Sequence, residues 1–313
     1  MKNVLFVVGP TASGKTEYAI RLAESFDGEI VSADSMQVYK YMDIGSAKPS
    51  EEQLRKVPHH LIGTIEPTRP FSAAEYQALA QSCIEDILSR NKMPVVCGGT
   101  GLYVDALLFD MDFSASPGDR AKREAIFEKV GQGDPGKLHA RLKELDPAAA
   151  QAIHPNNVKR VLRAIERLEG GQEERLTPFN RRRRQNSAFT PLLIGLERNR
   201  RALCERIDRR VDQLMARGLP AEVDHLLAMG LSASDISMKG IGYKELIPFV
   251  RGEEPLDKAA DAIKLHTRQY AKRQMTWFRR YSEICWFPLE NEEVEEETLQ
   301  RMIGYIRERI VQP

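Results

Sequence analysis

The chain has 313 residues, enough for about two domains of roughly 150 residues each. Hydrophobic residues make up 42% and charged residues 29%, which excludes wholesale disorder and fibrous repeats. No apolar run approaches the roughly 20 residues of a membrane-spanning helix. The first apolar run, Val4 to Val8, has only five residues and no small-residue cleavage site after it, so it is not expected to be a signal peptide. The cysteines form no CxxC pair and the histidines no HxxxH, so local spacing gives no support for a zinc site. With a net charge of +1, the chain is typical of a cytoplasmic enzyme or binding protein without membrane contact.

The first part of the chain alternates strand and helix patterns. In chain order the predicted elements are a strand at 4–8, a helix from Lys15, a strand at 30–33, a helix at 73–90 and a strand at 93–97. The run Val4 to Val8 is continuously apolar, as in a parallel strand that is buried on both faces. This alternation predicts an α/β fold with a parallel sheet.

The pattern changes at the linker-like stretch 114–118, and the segment 114–190 shows only helical signals. Asp146 and Pro147 are a typical start of a helix, and 157–169 is an amphipathic helix. Further elements are then predicted as a strand at 191–196, helices at 199–217, 220–229 and 257–281, a strand at 284–287 and a last helix. We therefore expect an α/β core, residues 1–113 and 191–313, that carries a helical insertion at 114–190. The insertion is rich in basic residues, which permits a polyanionic partner.

A phosphate-binding pattern, GxxxxGK[ST], lies between the first strand and the first helix. It consists of Gly9, Pro10, Thr11, Ala12, Ser13, Gly14, Lys15 and Thr16. Backbone N–H groups of such a loop, together with the amino end of the following helix, attract phosphate. We expect Lys15 to supply a positive charge to a terminal phosphate and Thr16 to supply a hydroxyl ligand for Mg²⁺.

Asp34 follows the second predicted strand. P-loop NTPases usually place a metal-binding Asp after an apolar strand, but the strand at 93–97 ends in Gly98 and Gly99. Because ligands of open α/β sheets bind at the carboxyl ends of strands, Asp34 is expected to face the phosphate pocket as a base. The alternative explanation for Asp34 is a turn or cap residue before Ser35. The residues themselves leave two possibilities open. One is a kinase with ATP on the loop, and the other is a transferase whose leaving group is a diphosphate.

Eight short stretches occur in a characteristic order. They are GPTASGKT at 9–16, DSMQVY at 34–39, DIGSAKP at 43–49, GGTGLY at 98–103, DPAAAQAIHPNNVKRVLRAIE at 146–166, RGLPAEV at 217–223, KGIGYKEL at 239–246 and TRQYAKRQMTWFR at 267–279. Together they resemble the tRNA dimethylallyltransferase (tRNA isopentenyltransferase) family in its bacterial form. The loop alone occurs in many families, whereas DSMQVY, GGTGLY and the 267–279 stretch in this order are specific.

The resemblance implies a P-loop NTPase-like parallel sheet core with an inserted all-helical domain. It also implies transfer of a dimethylallyl group from dimethylallyl diphosphate to N6 of adenine 37 in tRNAs reading codons that begin with U. The implied cofactor is Mg²⁺, and the insertion would grip the tRNA anticodon stem-loop. We expect the enzyme to be a cytoplasmic monomer. A small-molecule or nucleotide kinase is the alternative. A non-enzymatic RNA-binding protein comes third, since it would need neither Lys15 nor Asp34.

The resemblance also assigns roles to individual residues. Asp34 would be the general base, and the loop from Gly9 to Thr16 would bind the diphosphate. Lys15, Thr16 and Arg217 complete the catalytic set. For Arg217 the competing explanation is a charge that stabilises a helix carboxyl end. The residues expected to contact tRNA are Asp34, Ser35, Met36, Gln37, Thr100, Arg123, Lys159, Arg160 and Arg163.

Several of these residues, and two further basic groups, have alternative explanations. Thr100 would serve equally as a helix cap, and Lys159, Arg160 and Arg163 as a solvated helix face. Lys264, Arg268 and Lys272 form a stripe of like charges at helical spacing, which favours an anionic partner over solvation alone. The run 181–184 of four arginines is compatible with either a linker or a phosphate contact.

Overall fold

The computed structural model describes residues 2–109, 111, 120–131, 134–169, 188–291 and 293–310. It divides the chain into two compact units. The core unit comprises Met1–Leu108 and Ser187–Pro313, and the insertion unit comprises Phe109–Asn186. Sequence patterns placed the corresponding boundaries at 113/114 and 190/191. The chain leaves the core earlier than that because a core helix ends at Leu108, and it returns before Thr190, the first residue of a core strand.

The described part of the core unit contains six parallel strands in one sheet. They are β1 (Asn3–Val8), β2 (Gly28–Ser32), β3 (His59–His60), β4 (Met93–Gly98), β5 (Thr190–Arg198) and β6 (Cys285–Leu289), in the spatial order β3-β2-β4-β1-β5-β6. The predicted α/β class with a parallel sheet is therefore confirmed. β1 lies between β4 and β5, so the chain winds to one side of β1 first and to the other side later. Such a switch point opens a crevice at the carboxyl end of the strand.

The helices, numbered in chain order, are α1 (Lys15–Ser25), α2 (Glu51–Lys56), α3 (Ala73–Ser89), α4 (Gly101–Leu108), α5 (Arg120–Gly131), α6 (Pro135–Leu145), α7 (Pro147–Ala152), α8 (Val158–Glu169), α9 (Arg200–Ala216), α10 (Leu219–Ala228), α11 (Tyr243–Val250), α12 (Leu256–Phe278) and α13 (Glu296–Ile310). A short 3₁₀ turn occupies Ser237–Lys239. Among the described residues, no helix combines the length and the apolar character that crossing a membrane requires.

The core of the larger unit is built around β1. Leu5 and Val7 belong to an apolar cluster with residues of α1 and α13, and Phe6, on the opposite face, is also fully buried. Successive side chains of a strand point to opposite faces, so a strand covered on both sides must be apolar throughout. That requirement explains why the Val4 to Val8 run could be recognised from its sequence.

The insertion unit has its own apolar core, formed by α5 to α8. Leu138, Leu142, Val161 and Ile165 are completely buried in it. Asp146 begins α7 as predicted, because its Oδ1 accepts hydrogen bonds from the N–H groups of Ala148 and Ala149 at 3.0 and 2.9 Å. No β-strand occurs in the described residues of this unit.

Sequence patterns did not indicate four of the core elements: α2, β3, α4 and α11. β3 has only two residues, too few for any periodicity to show. Six of the eight residues of α4, from Tyr103 to Leu108, are buried, so this helix is not amphipathic and has no polar face to mark it.

A buried carboxylate, that of Glu29, forms an ion-pair network near one edge of the sheet. Glu29 on β2 is 4% exposed at its side chain and pairs with the guanidinium of Arg90. Its Oε2 also lies 2.9 Å from Nε2 of His60, and its Oε1 lies 3.4 Å from Nζ of Lys92. Hydrogen bonding from Arg90 is the main reason that the pKa of Glu29 falls to about 2.

Glu29→Gln is expected to lower the free energy of unfolding by about 3 kcal/mol at neutral pH, because it removes the charge from a buried network. The carboxylate stabilises the fold above its ordinary pKa of 4.5, and this contribution disappears as the pH falls toward 2. The stability gap between variant and wild type should therefore narrow below about pH 5. Urea unfolding at a series of pH values measures the gap, with Glu85→Gln on the exposed side of α3 as control. A stability difference between Glu29→Gln and wild type that does not change with pH would contradict a stabilising role for the charged form of Glu29.

Candidate active site

The loop from Gly9 to Thr16 leaves the carboxyl end of β1 in a left-handed conformation. Gly9, Ala12 and Gly14 have φ angles of 153°, 61° and 101°. A side chain at position 9 would place its Cβ 2.6 Å from the carbonyl oxygen of Leu196, so only glycine fits there. Gly14 is the N-cap residue of α1 and provides no side-chain cap, which leaves the amino end of the helix available to an anion.

Three side chains from distant parts of the core unit hold the loop backbone. Oε1 of Gln274 accepts a hydrogen bond from the N–H of Thr11 at 2.8 Å. Nε of Arg206 donates to the carbonyl of Ala12, and Nε of Arg198 donates to the carbonyl of Ser13, both at 3.0 Å. These contacts engage the carbonyl oxygens of Ala12 and Ser13 and the N–H of Thr11, so they fix the course of the loop that leads into the amino end of α1.

A cavity of about 410 Å³ lies against this loop. Its charged lining consists of Lys15, Glu17, Asp34, Lys48, Arg206, Arg209, Arg210 and Arg217. Cationic side chains therefore outnumber acidic ones threefold among the described lining residues. Sequence reasoning placed Lys15, Thr16, Asp34 and Arg217 in one site, and the structure brings these four together in the cavity.

Sequence reasoning missed the other arginines of α9. Arg206, Arg210 and Arg217 recur with Gln213 at helical spacing and line the cavity together. Burial lowers the pKa of Arg210, and the neighbouring charges of Arg206 and Arg217 lower it further, while Asp34 opposes the change. The cations repel one another, so a polyanion that enters the cavity relieves this repulsion.

Lys15 and Cys97 are half-buried neighbours in the cavity wall. Burial lowers the pKa of Lys15 to about 8, and the nearby Arg210 contributes in the same direction. Nζ of Lys15 donates a hydrogen bond to the carbonyl of Pro10 at 2.6 Å. Burial raises the pKa of the Cys97 thiol to about 11, so this cysteine is neutral at physiological pH and provides no nucleophile.

Asp34 uses only one carboxylate oxygen to hold the local backbone. Its Oδ1 accepts the N–H of Met36 at 2.8 Å and that of Gln37 at 3.3 Å, a turn typical of aspartate. Its Oδ2 forms no hydrogen bond within the part of the chain that the structure describes. Asp34 therefore forms the turn considered from sequence and leaves Oδ2 available to a ligand, while its role as a base stays a prediction.

The segment after Asp34 is fixed by its own hydrogen bonds. Oγ1 of Thr100 accepts the N–H of Ser35 at 3.0 Å, and Thr100 also bonds to the hydroxyl of Tyr270. The amide nitrogen of Gln37 donates to the carbonyl of Ala47 at 3.2 Å. The side chain of Met36 packs against Gly240. Thr100 thus contacts the segment that carries Asp34, in addition to standing before α4.

The insertion unit carries the other predicted contacts. Lys159, Arg160 and Arg163 are exposed on α8, opposite the buried face formed by Val161 and Ile165. None of these three cations forms an ion pair with a residue that the structure describes. Arg123 belongs to α5, and 181–184 lies outside the described residues.

Two of the three cations in the basic stripe on α12 have an intramolecular partner. Lys264 pairs with Asp212 at 2.6 Å, and Arg268 pairs with Asp208. Both acids belong to α9, which packs beside α12. Part of the repulsion within the stripe is therefore relieved inside the core unit, while Lys272 is exposed and the expectation of an anionic partner stays a prediction.

The chain is similar to a known group of tRNA-modifying enzymes. A family model for IPP transferase matches residues 37–281, and one for isopentenyl transferase matches residues 2–64. The tRNA dimethylallyltransferase of Acetivibrio thermocellus is 43% identical over 306 residues, which cover 98% of each chain. That of Alkaliphilus metalliredigens is 46% identical over 308 residues, with 97% of this chain and 98% of the relative covered.

Solved structures agree with this similarity. The tRNA isopentenylpyrophosphate transferase of Bacillus halodurans superposes with a TM-score of 0.72 at 38% identity, over 98% of both chains. A eukaryotic dimethylallyltransferase acting on tRNA superposes with a TM-score of 0.83 at 27% identity, over 99% of this chain and 80% of the other. Both similarities extend over nearly the whole chain.

The affinity of the cavity for inorganic pyrophosphate is expected to fall as the pH rises through 8, because the ammonium of Lys15 loses its proton there. If only the charged form binds well, the loss between pH 7 and 9 is about tenfold. Lys15→Arg keeps its charge over this range and serves as the reference for titration of the ligand itself. Calorimetric titration at several pH values measures both affinities. If the affinities of wild type and Lys15→Arg for pyrophosphate change in parallel with pH, loss of the Lys15 proton is not the cause of the decrease.

Proposed function

Since this chain belongs to the tRNA dimethylallyltransferase family, we propose that its cavity transfers a dimethylallyl group from dimethylallyl diphosphate to an adenine of tRNA. The acceptor we propose is N6 of adenine 37 in tRNAs reading codons that begin with U. One observation carries the assignment: a single cavity holds the phosphate loop, the arginines of α9 and Asp34. The family comparisons favour this transfer over the alternative of a small-molecule or nucleotide kinase.

The diphosphate would be held by the phosphate loop and the cations around it. The amino end of α1 would face the bound anion, and Lys15 and Arg217 line the same cavity. Negative charge grows on the bridging oxygen as the bond from carbon to oxygen breaks. Oriented donors that stabilise this charge lower the barrier for departure of the leaving group.

Asp34 would act on the acceptor. The exocyclic amine of adenine is a poor nucleophile, because its lone pair is delocalised into the ring. As the nitrogen attacks the first carbon of the dimethylallyl group, its proton passes to Oδ2 of Asp34 and the diphosphate departs with the bonding electrons. The hydrogen bonds at Oδ1 hold the carboxylate in one orientation.

The residues of the cavity fit Mg²⁺ bound together with the substrate. No cluster of three or more His, Cys, Asp or Glu among the described residues provides a complete protein cage for a metal. Thr16 lines the cavity, and Mg²⁺ commonly takes one or two protein oxygens together with substrate phosphates and water. We propose that the hydroxyl of Thr16 holds the ion, whose charge would help to neutralise the diphosphate.

The tRNA contacts are proposed for both units. In the core, residues 34–37 and Thr100 would read the extruded adenine by contacts to its edge. In the insertion, Arg123, Lys159, Arg160 and Arg163 would bind backbone phosphates of the anticodon stem-loop. We also propose that the enzyme works as a monomer in the cytoplasm.

Incubation with labelled dimethylallyl diphosphate, ATP and unmodified tRNA tests the proposal. Transfer of label to tRNA, mapped to adenine 37, would support it. Phosphate transfer from ATP to a small molecule or nucleotide would support a kinase instead, and tRNA binding without turnover would support a non-enzymatic RNA-binding protein.

Asp34→Asn is expected to lower the single-turnover rate about 10²–10⁴-fold, the range for a positioned acid–base group. The amide preserves the size of the side chain but cannot accept the proton. Affinity for tRNA and for pyrophosphate should change far less than the rate, and a melting curve checks that the variant is folded. A folded variant that retains the wild-type single-turnover rate would refute the role of Asp34.

Replacing Lys159, Arg160 and Arg163 together by Ala is expected to raise KM for tRNA and leave the affinity for pyrophosphate unchanged. Contacts to phosphate release counterions, so the log–log dependence of tRNA affinity on salt should flatten by at most about 0.7 to 0.9 per lost contact. Binding titrations at several salt concentrations measure this slope. An unchanged slope would identify these cations as a solvated helix face.

A further inference from the structure

Glu222, in the first turn of α10, holds a loop that is far away in the sequence. Its Oε2 accepts the N–H groups of Asp43 and Ile44 at 2.8 and 2.7 Å. Its Oε1 accepts the N–H of Gly45 and the hydroxyl of Tyr243, both at 2.9 Å. Four donors thus converge on one carboxylate, and hydrogen bonds to a charged acceptor are stronger than neutral ones.

Tyr243 of α11 reinforces the same loop. Its hydroxyl accepts the N–H of Ser46 at 3.0 Å while it donates to Glu222. Its fully buried ring packs against Gly45, where a Cβ would come within 2.6 Å of the ring. We call residues 43–47 the strap, since two helices bind it through four consecutive N–H groups.

The strap connects Glu222 to the catalytic segment. Ser46 and Ala47 line the cavity, and the carbonyl of Ala47 accepts a hydrogen bond from the side chain of Gln37 at 3.2 Å. The backbone N–H of Gln37 in turn bonds to Oδ1 of Asp34. Hydrogen bonds, joined by the backbone of the strap and by Gln37, therefore connect the carboxylate of Glu222 to that of Asp34.

The same junction of helices also supplies a cation to the cavity. Arg217 is the C-cap residue of α9, and Gly218 follows it in a left-handed conformation to begin α10. Glu222 lies in the first turn of α10. One turn between two helices therefore determines where Arg217 stands and where the strap is held.

We propose that Glu222 is a positioning residue. Through the strap, it fixes the position of Asp34 relative to the cations that line the cavity. This inference rests on the proposed function. The phosphate loop does not depend on the strap, because Gln274, Arg206 and Arg198 hold its backbone. Loss of Glu222 therefore affects the reaction step and leaves diphosphate binding in place.

Glu222→Gln tests the inference with little change in size. The amide nitrogen of the new side chain would face the donors of Gly45 and Tyr243, so part of the strap would be released. Because misplacement by about 1 Å can slow a reaction about 10²-fold, the single-turnover rate at saturating substrates should fall about 10- to 100-fold. Affinity for inorganic pyrophosphate should stay within about threefold, since its donors on the loop are intact.

Asp224→Asn is the matched control. Asp224 lies on the same helix, is exposed and has no bonding partner within the described residues, so this variant loses the same charge without touching the strap. It should keep the wild-type rate. Tyr243→Phe keeps the ring against Gly45 but removes both hydroxyl bonds, and a loss of rate with unchanged pyrophosphate affinity is expected. If Glu222→Gln does not fold, as judged by its melting curve, Tyr243→Phe decides the question.

Coupling to Gln37 separates positioning from general stabilisation. If the strap acts through the side chain of Gln37, the double variant Glu222→Gln, Gln37→Leu should be no slower than the slower single variant. The inference would be overturned if the rate losses of the two single variants multiply in the double variant. It would also be overturned if Glu222→Gln or Tyr243→Phe keeps the wild-type single-turnover rate, or if Asp224→Asn loses as much rate as Glu222→Gln. A wild-type chain that transfers no label to tRNA would overturn the proposed function, and this inference with it.

Discussion

The site depends on how the loop between β1 and α1 is held. Its backbone carries left-handed residues at the end of a completely buried strand, and side chains of β5, α9 and α12 bond to it. All three supports follow the insertion in the chain. The phosphate loop is therefore complete only when the two separate segments of the core unit have come together, although the loop itself belongs to the first 16 residues.

The concentration of cations beside this loop favours ligand binding at the expense of stability. Lys15 and Arg210 lie in the cavity wall, where burial and neighbouring positive charges disfavour their charged forms. Asp34 is one of only two acids in the described lining. A bound polyanion would offset the repulsion among these cations. In the proposed function, Asp34 lies where the acceptor would lose a proton, so one electrostatic environment would serve both ends of the transfer.

Helix α9 shows how the same residue types serve binding on one face and structure on another. Arg206, Arg210 and Arg217 line the cavity, whereas Asp208 and Asp212 pair with Arg268 and Lys264 of α12. The basic residues of the two helices look alike in the sequence. Only the packing of α9 beside α12 shows which of them lie at the cavity and which pair with acids of the neighbouring helix.

The sequence by itself determined the elements whose signals are local. The buried strand β1, the phosphate loop, the cap at Asp146 and the amphipathic helix α8 each follow from residues within about one or two turns of one another. Tertiary structure decided which distant groups meet them: Gln274 on the loop, Glu222 on the strap, and the ring of Tyr243 on Gly45. Tertiary structure also determined that α4 is a helix, because most of its residues are buried and its sequence shows no helical period of apolar residues. The physical reason is that spacing along the chain records which face of an element is apolar, while partners separated by more than a hundred residues depend on how the elements pack.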